Sequence, residues 1–281
     1  MITLLDGGVG TSLWKLAEEA GVEKTTAWKY NIEHPELVKK LHKNLIAAGS
    51  QIILANTFGA NRLMVERQSK YTVEQVVTAG VKLAKEAAAG TDVKVAVAAG
   101  PLSILLEPYG DLEEDEAFEI FDEQIGNGVK AGADYVMIQT FIDLEMMKVA
   151  VKAAKQYRVP VLTSLSFEKN GKTIMGQSVA DVCRELELLQ VDAVGANCSF
   201  GPELTLPIIE EFSKTTKLPL LLKPNAGLPI KNSDGSEDTS YTAEMFAAQI
   251  RPALSYVSYI GGCCNTDWNF IEAIRKEIEF I

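Results

Sequence analysis

Short β-rich apolar runs alternate with longer stretches of helical period along the whole chain, and that alternation admits few folds. The runs are Ile2–Leu5, Ile52–Phe58, Val93–Ala99, Tyr135–Phe141, Val161–Phe167, Ala193–Cys198, Leu220–Lys223 and Tyr256–Cys264. The helix-like segments between them include Pro35–Ala48, Val73–Ala89, Glu114–Ala131, Leu144–Tyr157, Val179–Leu189, Glu203–Lys214, Ala243–Leu254 and Trp268–Phe280. Gly49, Gly90 and Gly132 follow three of these segments, where a left-handed residue commonly ends a helix. Strand–helix alternation implies a parallel sheet. Repeated eight times within 281 residues, it predicts one α/β domain over 1–281, a single (β/α)8 TIM barrel with its chemistry at the C-terminal ends of the strands. A doubly wound open sheet would gather polar residues at one switch point, whereas here polar residues and glycines follow nearly every run.

Three cysteines fall at strand ends. Cys263 and Cys264 are adjacent and follow Gly261 and Gly262, and Cys198 closes the sixth run. Neighbours on a strand point to opposite faces, so both sulfurs reach one point only where the strand ends and twists. The two glycines would ease such a bend. Three thiolates converging there would make a trigonal base for zinc with the fourth position open, the arrangement of catalytic rather than structural sites. A disulfide between Cys263 and Cys264 would be strained and readily reduced. Cys183 shares a helix face with Val179, Val182 and Leu186 and reads as a small core hydrophobe. His34 and His42 read as capping or surface residues rather than ligands.

The opening Asp6-Gly7-Gly8-Val9-Gly10-Thr11-Ser12 invites a dinucleotide reading, but Leu13 stands where the third glycine would be needed. A tight turn remains, with Asp6 aimed at the barrel mouth and Thr11 or Ser12 available to cap a helix. Lys223, ending the seventh run, is either the Schiff-base lysine of an aldolase or a lysine beside a carboxylate. The polar stretch from Lys231 to Thr239 reads as a loop over the active face or as a solvated connector. The acidic stretch from Asp111 to Glu116 suits the N-terminus of the helix that follows it.

A net charge of −11 and no cluster of Lys or Arg argue against nucleic acid or an anionic membrane as partner. The first residues lack the basic region and apolar core of a signal peptide. No stretch approaches the roughly 18–20 apolar residues of a membrane span. With four cysteines read as ligands or core residues, the expected compartment is the cytoplasm.

At Asn197-Cys198 and at Gly261-Gly262-Cys263-Cys264-Asn265-Thr266 the chain resembles the homocysteine S-methyltransferase family. These are zinc-dependent barrels that include the homocysteine module of cobalamin-dependent methionine synthase and the betaine- and S-methylmethionine-dependent enzymes. Leu5 to Thr11, Asn56-Thr57-Phe58 and Lys223 to Pro229 are similar to the family's first, second and seventh strand ends. The resemblance covers nearly the whole chain. It implies that Cys198, Cys263 and Cys264 hold Zn2+ and carry the chemistry, and that Asp6 and Gly7 lie in the amino-acid pocket. Asn56, Gln139, Asn197 and Asn225 are the further candidates for substrate binding. The activity implied is methyl transfer to a zinc-bound thiol, with homocysteine giving methionine. Only a few per cent of a free thiol of pKa about 8.5 is thiolate at neutral pH, and coordination removes that limit.

The sequence departs from the family at Ile138-Gln139-Thr140, where a glutamate that receives the substrate ammonium is usual. Gln139 keeps an acceptor oxygen and loses the charge, so the thiol either lacks an ammonium or has it held by another acid such as Asp6 or Asp143. The chain ends straight after its last helix, without a folate- or corrinoid-binding extension. The expected donor is therefore a methylated corrinoid protein acting in trans, or a small methylsulfonium or methylammonium compound. A barrel of this kind using another thiol, or a corrinoid protein as methyl acceptor, is the alternative within the class. An aldolase built on Lys223 and a non-catalytic zinc- or thiol-binding protein are the alternatives outside it.

Overall fold

A computed structural model describes residues 2–227, 229–231, 237–239 and 241–280. Among them, eight parallel strands form a nearly closed barrel. These are β1 (Thr3–Leu4), β2 (Ile52–Leu54), β3 (Lys94–Ala99), β4 (Tyr135–Phe141), β5 (Val161–Leu165), β6 (Val194–Asn197), β7 (Leu220–Lys223) and, last in the chain, β10 (Tyr259–Ile260). A short antiparallel hairpin, β8 (Pro229–Lys231) and β9 (Glu237–Thr239), follows β7. The stretch 232–236 at the centre of the expected polar loop lies outside the described residues.

Around the barrel run α1 (Val9–Glu19), α2 (Tyr30–Glu33), α3 (Pro35–Ala47), α4 (Arg62–Gln68), α5 (Val73–Ala88) and α6 (Glu114–Lys130). The ring continues with α7 (Leu144–Ala154), α8 (Val179–Leu188), α9 (Pro202–Thr215), α10 (Ala243–Ile250) and α11 (Trp268–Glu279). Gly49, Gly90 and Gly132 all have positive φ just beyond α3, α5 and α6, as their positions in the sequence require. Glu114, Asp115 and Glu116 fill the first turn of α6, where its dipole favours them.

The pleat of β3 shows why the barrel is closed and filled. Val95, Val97 and Ala99 point outward into the layer packed under the helices, while Ala96 and Ala98 point inward. The interior is a separate apolar cluster of Leu5, Ile52, Leu54, Ala96, Ala98, Met137, Leu162, Ala193 and Leu221. Its alanines are small, and Ala98 leaves room for a cavity at the C-terminal end.

The sheet order begins at β1 and ends at β2, so the seam lies between those two strands. One backbone bond and two side chains complete it. Gln51 N–H donates to the Leu4 carbonyl (2.7 Å), and Leu4 N–H donates to Gln51 Oε1 (2.8 Å). One turn higher, Leu54 N–H donates to Asp6 Oδ2 (2.6 Å).

Three local expectations are corrected. The segment after β1 is helical from Val9, so Thr11 and Ser12 lie inside α1, and the capping position is Gly8. The second and eighth strands are shorter than their apolar runs. Residues 55–58 leave the ladder as Thr57 folds back to the Ala98 carbonyl, and a 3-10 turn over Arg251–Ser255 precedes β10. His42 is neither on the surface nor a cap. It is fully buried on the face of α3 that also buries Val38, Leu41 and Leu45, and neither ring nitrogen has a hydrogen-bond partner among the described residues.

Candidate active site

The ends of β6, β7 and β10 meet because their loops are stitched backbone to backbone. Cys198 N–H donates to the Lys223 carbonyl (3.1 Å), and Cys198 itself has the left-handed φ of 53° that turns the chain out of β6. Cys263 N–H donates to the Pro224 carbonyl (2.7 Å), and Cys264 N–H to Asn225 Oδ1 (3.1 Å). The Cys264 carbonyl in turn accepts from Ala226 N–H (3.0 Å).

Neither Gly261 nor Gly262 has positive φ, so what they bring to this turn is the missing Cβ: at Gly261 a Cβ would fall on the Asp6 carbonyl. Gly262 is required by close packing too, since a Cβ there would fall on the Thr266 side chain. Gly8, across the site, is equally constrained by the Cys263 carbonyl. The β1 and β10 loops therefore approach each other glycine against backbone, with Gly262 N–H donating to the Asp6 carbonyl (3.0 Å).

The outcome is a cluster of three sulfurs, all within 4.8 Å of one another, with Cys198 Sγ and Cys264 Sγ 3.4 Å apart. Sulfurs about 2.3 Å from a tetrahedral zinc would sit about 3.8 Å apart, so the donor set fits that ion in both type and spacing. Among the described residues no histidine or carboxylate joins this cluster. Hydrogen bonds from Cys198 and Cys264 hold the Cys263 thiol below its ordinary pKa. Lys223 and Asn197 add to that effect. The same sharing raises Cys198, through Cys263 first and then Cys264. Cys183 stands apart, buried in the core, and burial pushes its pKa up to about 12.

The cluster opens onto a cavity of about 390 Å3 at the barrel mouth. Gly7, Gly8, Asn56, Gln139, Thr140, Lys223 and all three sulfur-cluster cysteines line it, with apolar walls from Trp14, Leu54, Phe58, Met64 and Ala98. Gln139 Oε1 is buried without a hydrogen-bond partner among the described residues, and so is Nε1 of Trp28, another lining residue. Thr140 beside Gln139 has φ 66°, a strained setting for a β-branched residue, of order 1–3 kcal/mol. The pairing of β4 with β5 is interrupted there, between Ile138 and Phe141.

The other expected residues are distributed around this centre. Asp6 lies behind the cavity wall, fully buried, with Oδ1 2.7 Å from Lys223 Nζ and Oδ2 on Leu54 N–H. Burial raises the Asp6 carboxyl, and the Lys223 charge opposes that rise. Both its oxygens are engaged, and Asp6 is not among the residues that line the cavity. Asp143 accepts from Glu145 N–H as the cap of α7 and is not among the cavity walls, so it does not replace the missing charge either. Asn56 uses its amide nitrogen on the Ala27 carbonyl (2.7 Å) and on Asn31 Oδ1 (2.8 Å). Asn225 holds the Cys264 backbone, and Asn197 is buried between β4, β5 and Cys263. Sequence reading left Trp14, Trp28 and Thr140 unassigned. Nothing in the sequence marked the two tryptophans or the backbone of Thr140 as part of the site.

A family model described as homocysteine S-methyltransferase matches residues 3–278, and the chain belongs to that family. A relative from Mycobacterium leprae (strain TN), named methionine synthase, is 26% identical over 293 residues, covering 97% of this chain and 24% of that protein. The chain thus spans about a quarter of that relative. The homocysteine methyltransferase MmuM from Escherichia coli shares the fold. Its apo form has a TM-score of 0.76 at 24% identity, covering 98% of this chain and 95% of that one. Its metallated form gives 0.79 at 23%, covering 98% and 96%.

Proposed function

We propose that this chain is a zinc-dependent methyltransferase that moves a methyl group from a donor to a thiol, with homocysteine giving methionine as the reaction that fits best. The observation that carries this is the convergence of three thiols from β6 and β10 at the mouth of a cavity of substrate size. Cys198, Cys263 and Cys264 would hold the zinc. When bound, zinc supplies a Lewis acid that favours the thiolate form of an incoming thiol at neutral pH.

The rest of the work falls to the chain itself. The apolar walls around Leu54, Ala98, Phe58 and Trp14 suit the alkyl chain of a thiol held beside the sulfur cluster. Gln139 Oε1 offers the substrate's amine an acceptor without charge. The Asp6–Lys223 pair fixes the wall beneath Gly7, and it also engages Lys223 as a structural cation, which weighs against an aldolase. The donor is a methylated corrinoid protein in trans or a small methylsulfonium or methylammonium compound. The cytoplasm, where thiols stay reduced, is the compartment that suits the site. Among the described residues no helix is long and apolar enough to cross a membrane.

The test is methionine formation by the zinc-loaded protein from homocysteine with methylcobalamin, S-methylmethionine or betaine. Replacing Cys198, Cys263 and Cys264 together by serine should abolish both metal content and turnover. Full zinc and unchanged turnover in that triple variant would end the reading.

A further inference from the structure

Asn197 occupies the most heavily bonded position next to the sulfur cluster. It is fully buried at the end of β6. Its Oδ1 accepts from the Thr140 backbone N–H (2.8 Å) and from Ser164 Oγ (2.7 Å). A backbone N–H can only donate, so the orientation of the amide is fixed by chemistry, and Nδ2 must face the other way. There it donates to Thr140 Oγ1 (2.8 Å) and reaches Cys263 Sγ at 3.6 Å. One amide therefore touches a sulfur of the cluster and both the backbone N–H and the hydroxyl of the left-handed residue that follows Gln139.

We propose that Asn197 is a positioning residue with two linked tasks. Its amide nitrogen draws electron density from the Cys263 sulfur, and the same amide clamps Thr140 in the backbone conformation that sets Gln139 in the cavity wall. The first task makes the protein's own sulfur a weaker donor, so that the substrate sulfur is the better nucleophile at the site. The second ties the substrate wall to the sulfur cluster, so that the two cannot shift independently. The proposal rests on the reading of the three cysteines as a metal site.

Cobalt(II) in place of zinc reports both layers separately. Wild-type protein should show an intense near-ultraviolet sulfur-to-cobalt band. Asn197→Asp keeps the acceptor for Thr140 and Ser164 but loses the donor to sulfur. It should move that band to longer wavelength, because the Cys263 sulfur becomes the stronger donor once the N–H is gone. Thr140→Gly keeps the bond to Cys263 and tolerates left-handed backbone. It should leave the band in place and weaken homocysteine binding alone. In cadmium-113-loaded wild type with 15N-labelled asparagine, the Asn197 amide protons should couple to the metal through the Cys263 sulfur, a readout that needs no variant to fold. Folded Asn197→Asp with an unmoved band would overturn the proposal, as would absence of the cadmium coupling. If wild type shows no sulfur-to-cobalt band at all, the metal reading fails and this inference falls with it.

Discussion

Burial of His42 should make this barrel acid-labile in a defined window, and one substitution should remove the effect. The ring is fully buried, without a partner for either nitrogen among the described residues, and desolvation lowers its pKa from 6.5 to about 4. The unfolded chain binds the proton near 6.5 while the folded chain refuses it until about 4. The unfolded state therefore holds more protons between those values, and stability falls as pH drops through that window. The full span is worth about 3 kcal/mol, of which roughly 1.4 kcal/mol is lost by about pH 5.5 and about 2.6 by about pH 4.5. Leucine matches the imidazole in size and has nothing to protonate. His42→Leu should equal or exceed wild type at neutral pH, because it removes buried polar atoms that have no partner. Its advantage should then grow by those amounts on acidification. Urea denaturation of both proteins, freed of metal by chelation so that its release does not intrude, measures the difference at each pH. Parallel loss of stability in the two proteins from about pH 7.5 to 4.5 would refute the reasoning and place the acid sensitivity elsewhere.

Metal analysis should find about one zinc per chain, retained by Cys183→Ser and mostly lost by Cys264→Ser, because only the latter residue belongs to the sulfur cluster. Gln139→Glu should tighten homocysteine by about 1–2 kcal/mol in calorimetric titration and leave 4-mercaptobutyrate weaker or unchanged, a charged acceptor replacing a neutral one. Asp6→Asn should cost about 3–5 kcal/mol in urea unfolding, because it strands the Lys223 ammonium in the barrel wall. Lys223→Met combined with Asp6→Asn should recover much of that loss.

The fold was legible because its signal is repetitive. Each apolar run meets the same fate, so an error at one end of a strand does not disturb the others. The eighth run illustrates this: only Tyr259–Ile260 pair in the ladder, yet the strand stands where the alternation requires it. The sulfur cluster was legible because a parallel barrel carries the C-terminal ends of all its strands to one face, and three of the four cysteines follow such ends. What the sequence hid were relations between distant residues. Asp6 is separated from Lys223 by 217 positions, and a lone acid after a first strand looks the same whether it faces a ligand or a buried lysine. Asn225 likewise carries an amide that suits a substrate, yet its oxygen here holds a cysteine backbone. His42 was misjudged through its type, since the helical period that buries Val38, Leu41 and Leu45 buries it too.

The Asp6–Lys223 pair links closure of the barrel to the geometry of the site. β1 and β2 share no ladder, and the Asp6 carboxylate supplies at Leu54 the hydrogen bond that a neighbouring strand would have given. Its other oxygen is held by Lys223 at the end of β7, whose carbonyl holds the backbone of Cys198. The Asp6 carbonyl accepts from Gly262, the residue before Cys263. One residue thus touches the seam, the cation and the approach to the sulfur cluster. If closure and cluster are coupled in this way, Asp6→Asn should lower metal affinity as well as stability, although Asp6 lies outside the cluster itself. A variant that unfolds early but binds zinc as tightly as wild type would show that the seam and the site are independent.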